Sequence, residues 1–505
     1  MSESAGTGRG LALITAAKLY FILSGFIVQF GLPRLLGSPE AFGQYSLAMN
    51  FVSVVNNVLI AATVQSVSKR ISEDEALAGA RLRQALLLQL GVGVTLASGL
   101  FLAAPWLAGL AFDAQLVSLL RIAALVPLFY ALYATIVGSL NGRRLFHKQA
   151  GLDITFSTVR TVGIVGAAAL GFGAAGALSG FASAALVITL IALFTVGTGE
   201  QGPKLPVWTW FSFLLPIVFF QLTLNGTLLL DVWVLKNTAS QLGIEGGLDV
   251  ASAAENASRY VGLYRAGQNF ALVPYQVILS VTFIVFPLVS RATAAGDLAS
   301  ARVHIRNALR FSMIVLFAIG APLSGAADGV IRLVNGPKFA EGADTLRVLV
   351  FGQIALALFV IIATVLTSAG RPVLSALIGL LALAVVLIAN RVMVRSVGLG
   401  DRTLATAAFA TSLGPLLALV LSSLLMRKLM GVALPLLSFL RCAIAAAAAF
   451  WVARQLPATP KLAPVVLIAS GLVYLAVCTL SGEITKSDVQ AVTGSLRKGK
   501  KAAPT

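Results

Sequence analysis

Charge is what this 505-residue chain has least of: only 11% of its positions are Asp, Glu, Lys or Arg, and 58% are hydrophobic. An ordinary soluble domain carries about 25% charged residues, so a water-bathed globule is excluded and a polytopic membrane protein is indicated. Mean hydropathy of +0.93 agrees. Acidic residues are scarcer still, 19 against 37 Lys and Arg, a net charge of +18. In a soluble chain that excess would point to nucleic acid. Here most cations sit in short loops between apolar segments, where they set topology, and no nucleic-acid partner is expected. The basic run from Arg497 to Lys501 has no interleaved aromatics and suits membrane lipid instead.

Cysteine and histidine are nearly missing. Cys442 and Cys478 lie in apolar runs and read as small core residues, and His147 and His304 stand alone in basic loops. A disulfide framework and a zinc site are thereby excluded, and neither metal nor cofactor is expected. There is no Walker lysine motif and no nucleophile elbow, so ATP hydrolysis by this chain is not expected. A cleavable leader is also not apparent: the first basic residue is Arg9, and Lys18 interrupts the first apolar run. That run is expected to stay as a helix.

What is present is a long series of apolar segments, ~14 of them at about 17–25 residues each, the length that crosses ~30 Å of hydrocarbon. They fall near 11–32, 43–66, 84–110, 117–140, 150–171, 174–197, 211–232, 259–291, 311–330, 346–368, 372–394, 403–426, 434–453 and 463–481. The fold class is all-α, and the longest hydrophilic loop is expected at 236–258. Lys and Arg on alternate loops are roughly twice as frequent on the side of the N-terminus, which puts both termini in the cytoplasm. The loop holding Arg395 and Arg402 runs against that rule.

The chain repeats itself. Gly43, Tyr45, Asn50 and Phe51 recur at the same spacing as Gly262, Tyr264, Asn269 and Phe270. Leu120-Arg121 matches Leu346-Arg347, Gly142-Arg143 matches Gly370-Arg371, and the stretch at 81–85 resembles that at 304–308. Two six-helix lobes follow, 1–198 and 211–430, joined by a linker at 199–210. An even helix number makes both enter from one side, so their pseudo-twofold lies along the membrane normal. Residues 431–482 add two further helices, and 483–505 form a basic cytoplasmic tail.

This six-plus-six repeat, the LGSPEAFGQYSLA link into segment two, the paired G-x-Y helices and the FPLVSR ending of segment eight together resemble one superfamily. It is the multidrug/oligosaccharidyl-lipid/polysaccharide exporters, and within it the polysaccharide-type (Wzx-like) and lipid II flippases. The resemblance covers segments 1–12. It implies a central cavity lined largely by helices 1, 2, 7 and 8 that opens alternately to each side of the cytoplasmic (inner) membrane. It implies as cargo a polyprenyl-pyrophosphate-linked oligosaccharide bound for exopolysaccharide, capsule or O-antigen, with a polysaccharide polymerase as a further partner.

The charges inside apolar segments are the candidate site. An arginine or lysine at membrane depth costs roughly 2.5–3.5 kcal/mol on insertion scales, so it faces protein or water. Arg160 lies roughly 15 Å into segment five, near the midplane, and shares a helix face with Asp153 and Ser157. Arg265 sits one turn below Gly262, where the first copy has Ser46. Lys18 either snorkels to the headgroups or joins these two. A pyrophosphate carries about two negative charges, which forked guanidiniums suit. Tyr264, Gln268, Asn269, Asn50 and Asn225 can bond sugar hydroxyls, or can equally tie helix to helix. Asp153 and Asp231 are candidates for coupling to H+ or Na+, although Asp231 reads rather as an exposed carboxylate at the outer interface. Energy is otherwise left to the membrane potential or to consumption of the product outside. The competing readings are a drug or metabolite antiporter of the same fold, which a cation-poor cavity would favour, and a polymerase or ligase of lipid-linked glycans. The latter needs acid/base residues in a large outer loop, and 236–258 contains no histidine.

Overall fold

The computed structural model describes residues 2–278, 289 and 297–485, and among these every long regular element is an α-helix, with no strand. The first half contains α1 (Ser2–Leu36), α2 (Pro39–Glu73), α3 (Ala78–Leu110), α4 (Leu116–Ala123), α5 (Leu125–Gly142), α6 (Phe146–Ala169) and α7 (Gly173–Val196). Then come α8 (Val207–Leu229), α9 (Asp231–Glu245), α10 (Val250–Ala271), α11 (Leu298–Gly325), α12 (Ala327–Val334) and α13 (Gly342–Ser368). The series closes with α14 (Pro372–Val397), α15 (Thr403–Met430), α16 (Leu436–Gln455) and α17 (Ala463–Leu480).

Twelve spans among the described residues are long and apolar enough to cross a membrane. A thirteenth is a broken one, in which Ile217–Leu229 and Asp231–Glu245 meet at 46°. The expected eighth span, at 259–291, is described only to residue 278 and at Val289, and its FPLVSR ending lies outside the described residues. So does the tail beyond residue 485.

The expected loop at 236–258 is not a loop. α9 continues to Glu245, a turn occupies 246–249, and α10 starts at Val250. Polarity suggested a loop, but the polar groups here are satisfied inside protein: Lys236 is fully buried and donates to Asp113 Oδ2 at 2.9 Å. The chain breaks only where Gly247 takes φ +92. Asp249 then accepts from the Ala251 and Ser252 backbone N–H groups, capping α10. The Ser252 hydrogen bonds hold the Asp249 carboxyl below the usual carboxylate range.

The turn from α1 to α2 follows from three adjacent residues. Gly37 takes φ +75, the Ser38 side chain accepts from Ala41 N–H at 3.2 Å, and Pro39 opens the helix. The helices fall into two compact units. The first holds Met1–Ala266, Val334–Gly342 and Gly379–Gly414, and in it α1 packs on α6, α2 on α5 and α8, and α6 on α7. The second holds Gly267–Leu333, Ala343–Ile378 and Pro415–Thr505, and in it α11, α16 and α17 pack together. Cys442 and Cys478 are buried free thiols there, as core residues should be.

Candidate functional site

Within the first unit, α6 brings Arg160 against α1. Tyr20 Oη and Thr158 Oγ1 are 2.8 Å apart, and Thr161 Oγ1 donates to Ser24 O at 3.4 Å, which fixes the register of the two helices. The Arg160 guanidinium lies 4.4 Å from the centre of the Phe21 ring and 5.6 Å from that of Phe156. Stacking of this kind holds an arginine in place while leaving its N–H edge free to pair with an anion. Among the described residues no carboxylate comes within ion-pairing distance of Arg160 or of Lys18.

Asp153, two turns from Arg160 on the same helix, accepts from Tyr133 Oη at 2.9 Å and has Lys18 as an electrostatic neighbour. Lys18 itself is exposed in the first unit. On α2, the Tyr45 side chain is buried and lies within electrostatic reach of both Arg160 and Arg265. The two arginines, one from each copy of the repeat, are thus electrostatic neighbours of one phenol. Half-buried Arg265 is in turn an electrostatic neighbour of Asp231 and Tyr264.

Asp231 corrects a reading of the sequence. It was expected at an exposed interface, yet its side chain is fully buried. The reason is the break between α8 and α9: Asp231 is the first residue after the bend, and its Oδ1 accepts from Val232 N–H at 3.0 Å. Tyr264 Oη lies 2.7 Å from Asp231 Oδ2 and 2.9 Å from Thr411 Oγ1, and Thr411 Oγ1 is 3.3 Å from the same carboxylate oxygen. Asn390 Nδ2 donates to Thr411 Oγ1 at 2.9 Å, while the buried Asn390 Oδ1 has no hydrogen-bond partner. Sequence reasoning missed Asn390, Thr411 and Tyr45. The first is a lone amide in the apolar run VVLIANRV, a signal that could have found it.

The amides divide. Asn225 accepts from Asn57 Nδ2 at 2.9 Å and donates to Gln221 O at 2.9 Å, so it ties α8 to α2. Asn50 is buried on α2 with its Nδ2 lacking a partner. Gln268 and Asn269 are buried on the part of α10 that belongs to the second unit. In that unit an apolar cavity of about 400 Å³ lies among α11, α13, α15 and α16, lined by Phe317, Phe351, Leu358, Phe439 and Phe450. Arg347 also borders it, its terminal nitrogens taken up by Asp344 and Asp328. Among the described residues no three His, Cys, Asp or Glu side chains gather as a metal site.

Residues 32–344 match the family described as "Polysaccharide biosynthesis protein". A curated relative, the uncharacterized membrane protein YabM of Bacillus subtilis (strain 168), is 24% identical over 362 residues, covering 68% of this chain and 67% of the relative. Among solved structures, the lipid II flippase MurJ in an inward closed conformation superposes with a TM-score of 0.73 at 15% identity, over 93% of this chain and 98% of that one. An inward-facing multidrug resistance MATE family transporter of the MOP superfamily gives 0.66 at 14% identity, over 82% and 98%. At these identities the structural likeness establishes the fold, and the proteins that carry it are transporters rather than enzymes.

Proposed function

The chain belongs to the polysaccharide biosynthesis protein family and has the fold of the MOP-superfamily transporters, and from that premise we propose that it flips a polyprenyl-pyrophosphate-linked oligosaccharide across the cytoplasmic membrane by alternating access. The observation that carries this reading is Arg160, a membrane-depth guanidinium stacked 4.4 Å from the centre of the Phe21 ring with no carboxylate in ion-pairing distance among the described residues. Arg160 and Arg265 are both electrostatic neighbours of Tyr45. Two guanidiniums inside membrane-spanning segments are expensive unless something anionic visits them. A pyrophosphate has the matching charge and accepts forked hydrogen bonds. Residues 1–198 and 211–430 form the two lobes of the cycle, each contributing one arginine. Lys18 and the amide Asn50 extend the site toward sugar hydroxyls, Tyr264 joins it through Asp231, and Asn225 serves it indirectly by holding α8 to α2. Gln268 and Asn269 remain candidates for sugar contact within the second unit.

Asp231 supplies the coupling. A carboxylate at a helix break, with the Thr411 hydroxyl and the unpartnered carbonyl oxygen of Asn390 in the same network, offers hard oxygen donors to Na+, or a proton site. Asp153 is the second candidate, with Tyr133 as its donor. The deciding experiment is export of the glycan in cells carrying Arg160→Ala or Arg265→Ala. Export should fall to background with protein abundance unchanged; full export by both variants would refute the anionic cargo.

A further inference from the structure

The repeat meets itself at one end of the first unit. A Cβ added at Gly43 would collide with the Ser258 carbonyl oxygen, and one added at Gly262 would collide with the Pro39 carbonyl oxygen. Gly43 and Gly262 are equivalent positions in the two copies, and so are Pro39 and Ser258. Each glycine thus receives the backbone of the residue equivalent to the one its own copy presents. Glu40 and Arg259 are equivalent as well, and their charged groups are 4.0 Å apart. The pseudo-twofold of the repeat passes through this crossing of α2 and α10. Only glycine permits backbones to approach so closely.

Beside the crossing lies the one fully buried lysine among the described residues. Lys236 Nζ, on α9, donates to Asp113 Oδ2 at 2.9 Å, Ala254 O at 2.5 Å and Ser258 Oγ at 2.7 Å, which uses all three of its protons. Asp113 stands in the link between α3 and α4, in the first copy; Lys236, Ala254 and Ser258 belong to the second. The same face of α9 holds this link again, where Asn237 Nδ2 donates to Leu110 O and Ser240 Oγ donates to Ala111 O at 3.1 Å.

We infer that the Lys236–Asp113 ion pair is a latch that closes the α2–α10 end of the transporter and must part each time that end opens. A buried ion pair adds little net stability, since the desolvation of both ions offsets their attraction. What it supplies is a closed state that is sharply defined and an open state that is accessible. When the seam separates, both ions regain their hydration, so opening is not opposed as the parting of an apolar seam would be. Removing one partner breaks that balance and leaves the other ion dry in the closed state, which drives the seam toward open. The latch rests on the alternating-access reading and is independent of which cargo is carried.

The test reads conformation alone. In the full chain with Cys442→Ser and Cys478→Ser, a Ser46→Cys probe on buried α2 is offered a membrane-impermeant maleimide in right-side-out and inverted vesicles. Lys236→Met and Asp113→Asn should each raise labelling roughly tenfold, from the side on which α2 begins and from that side only. Joining the seam with Ala111→Cys and Ser240→Cys, oxidised to the disulfide by oxygen with copper-phenanthroline, should return the Lys236→Met rate to the parent level, and reductant should release it. Unchanged labelling in both single variants, or a Lys236→Met rate that the disulfide leaves high, overturns the latch. Because no step involves cargo, a failed glycan assay leaves this result standing, and the reverse also holds.

Discussion

Arg265 and Ser46 hold the same place in the two copies of the repeat, yet only one is charged. In the proposed site that asymmetry, together with Arg160, would supply the pairing with an anionic cargo. Truncating either arginine to Ala removes a charge-assisted contact of about 1.5–3 kcal/mol, so cargo affinity should fall about ten- to hundredfold in a binding assay. Arg160→Lys should recover only part of it, because an ammonium cannot reproduce the planar stack on Phe21 or the fork. Asp231→Asn keeps the shape and removes the charge. Transport by that variant should lose its dependence on the sodium or proton gradient, read as uptake rates with and without an imposed gradient. A full gradient response would move the coupling role to Asp153. The burial of Asp231 could not be read from its neighbours in sequence, because its partners Tyr264 and Thr411 lie far along the chain.

At the scale of elements, the glycine crossing and the helix ends decide what is rigid. Gly262→Ala forces a methyl group into the Pro39 carbonyl, an overpacking that should destabilise by about 1–3 kcal/mol and lower the thermal midpoint in detergent. Gly31→Ala, on α1 with nothing within 4 Å, is the matched control and should leave the midpoint unchanged. The Asp249 cap makes a pH prediction. Its carboxyl is depressed in the folded chain, so the cap contributes above the unfolded value near 3.9 and is lost as pH falls through the lower folded one. The protection of the Ala251 and Ser252 amides, taken relative to their intrinsic exchange rates, should therefore persist down to about pH 4 and be lost only below it. The spans themselves were plain in the sequence, since length and hydropathy alone define them. The α9–α10 hairpin was not, because a helix whose polar residues are satisfied inside the protein looks, residue by residue, like a loop.

At the scale of the whole molecule, a repeated G-x-Y pattern carried the family resemblance, and its two glycines mark the crossing where α2 meets α10. Its function as a crossing was invisible, since a repeat in sequence does not say which copies touch. The expected topology puts the turn at 246–249 outside, so a cysteine at Leu248 in intact cells should react with an impermeant thiol reagent. Reaction only after lysis would invert the orientation. The central claim is that a lipid-linked anionic glycan crosses through the site of Arg160 and Arg265. It is tested most directly in liposomes holding the purified protein and a polyprenyl-pyrophosphate oligosaccharide, by the fraction of sugar that becomes accessible to an enzyme or lectin on the opposite face. The account predicts rapid transfer with the native chain, and transfer at the protein-free rate with the Arg160→Ala, Arg265→Ala double variant. Equal transfer by the two, or none by the native chain under an imposed ion gradient, would contradict it.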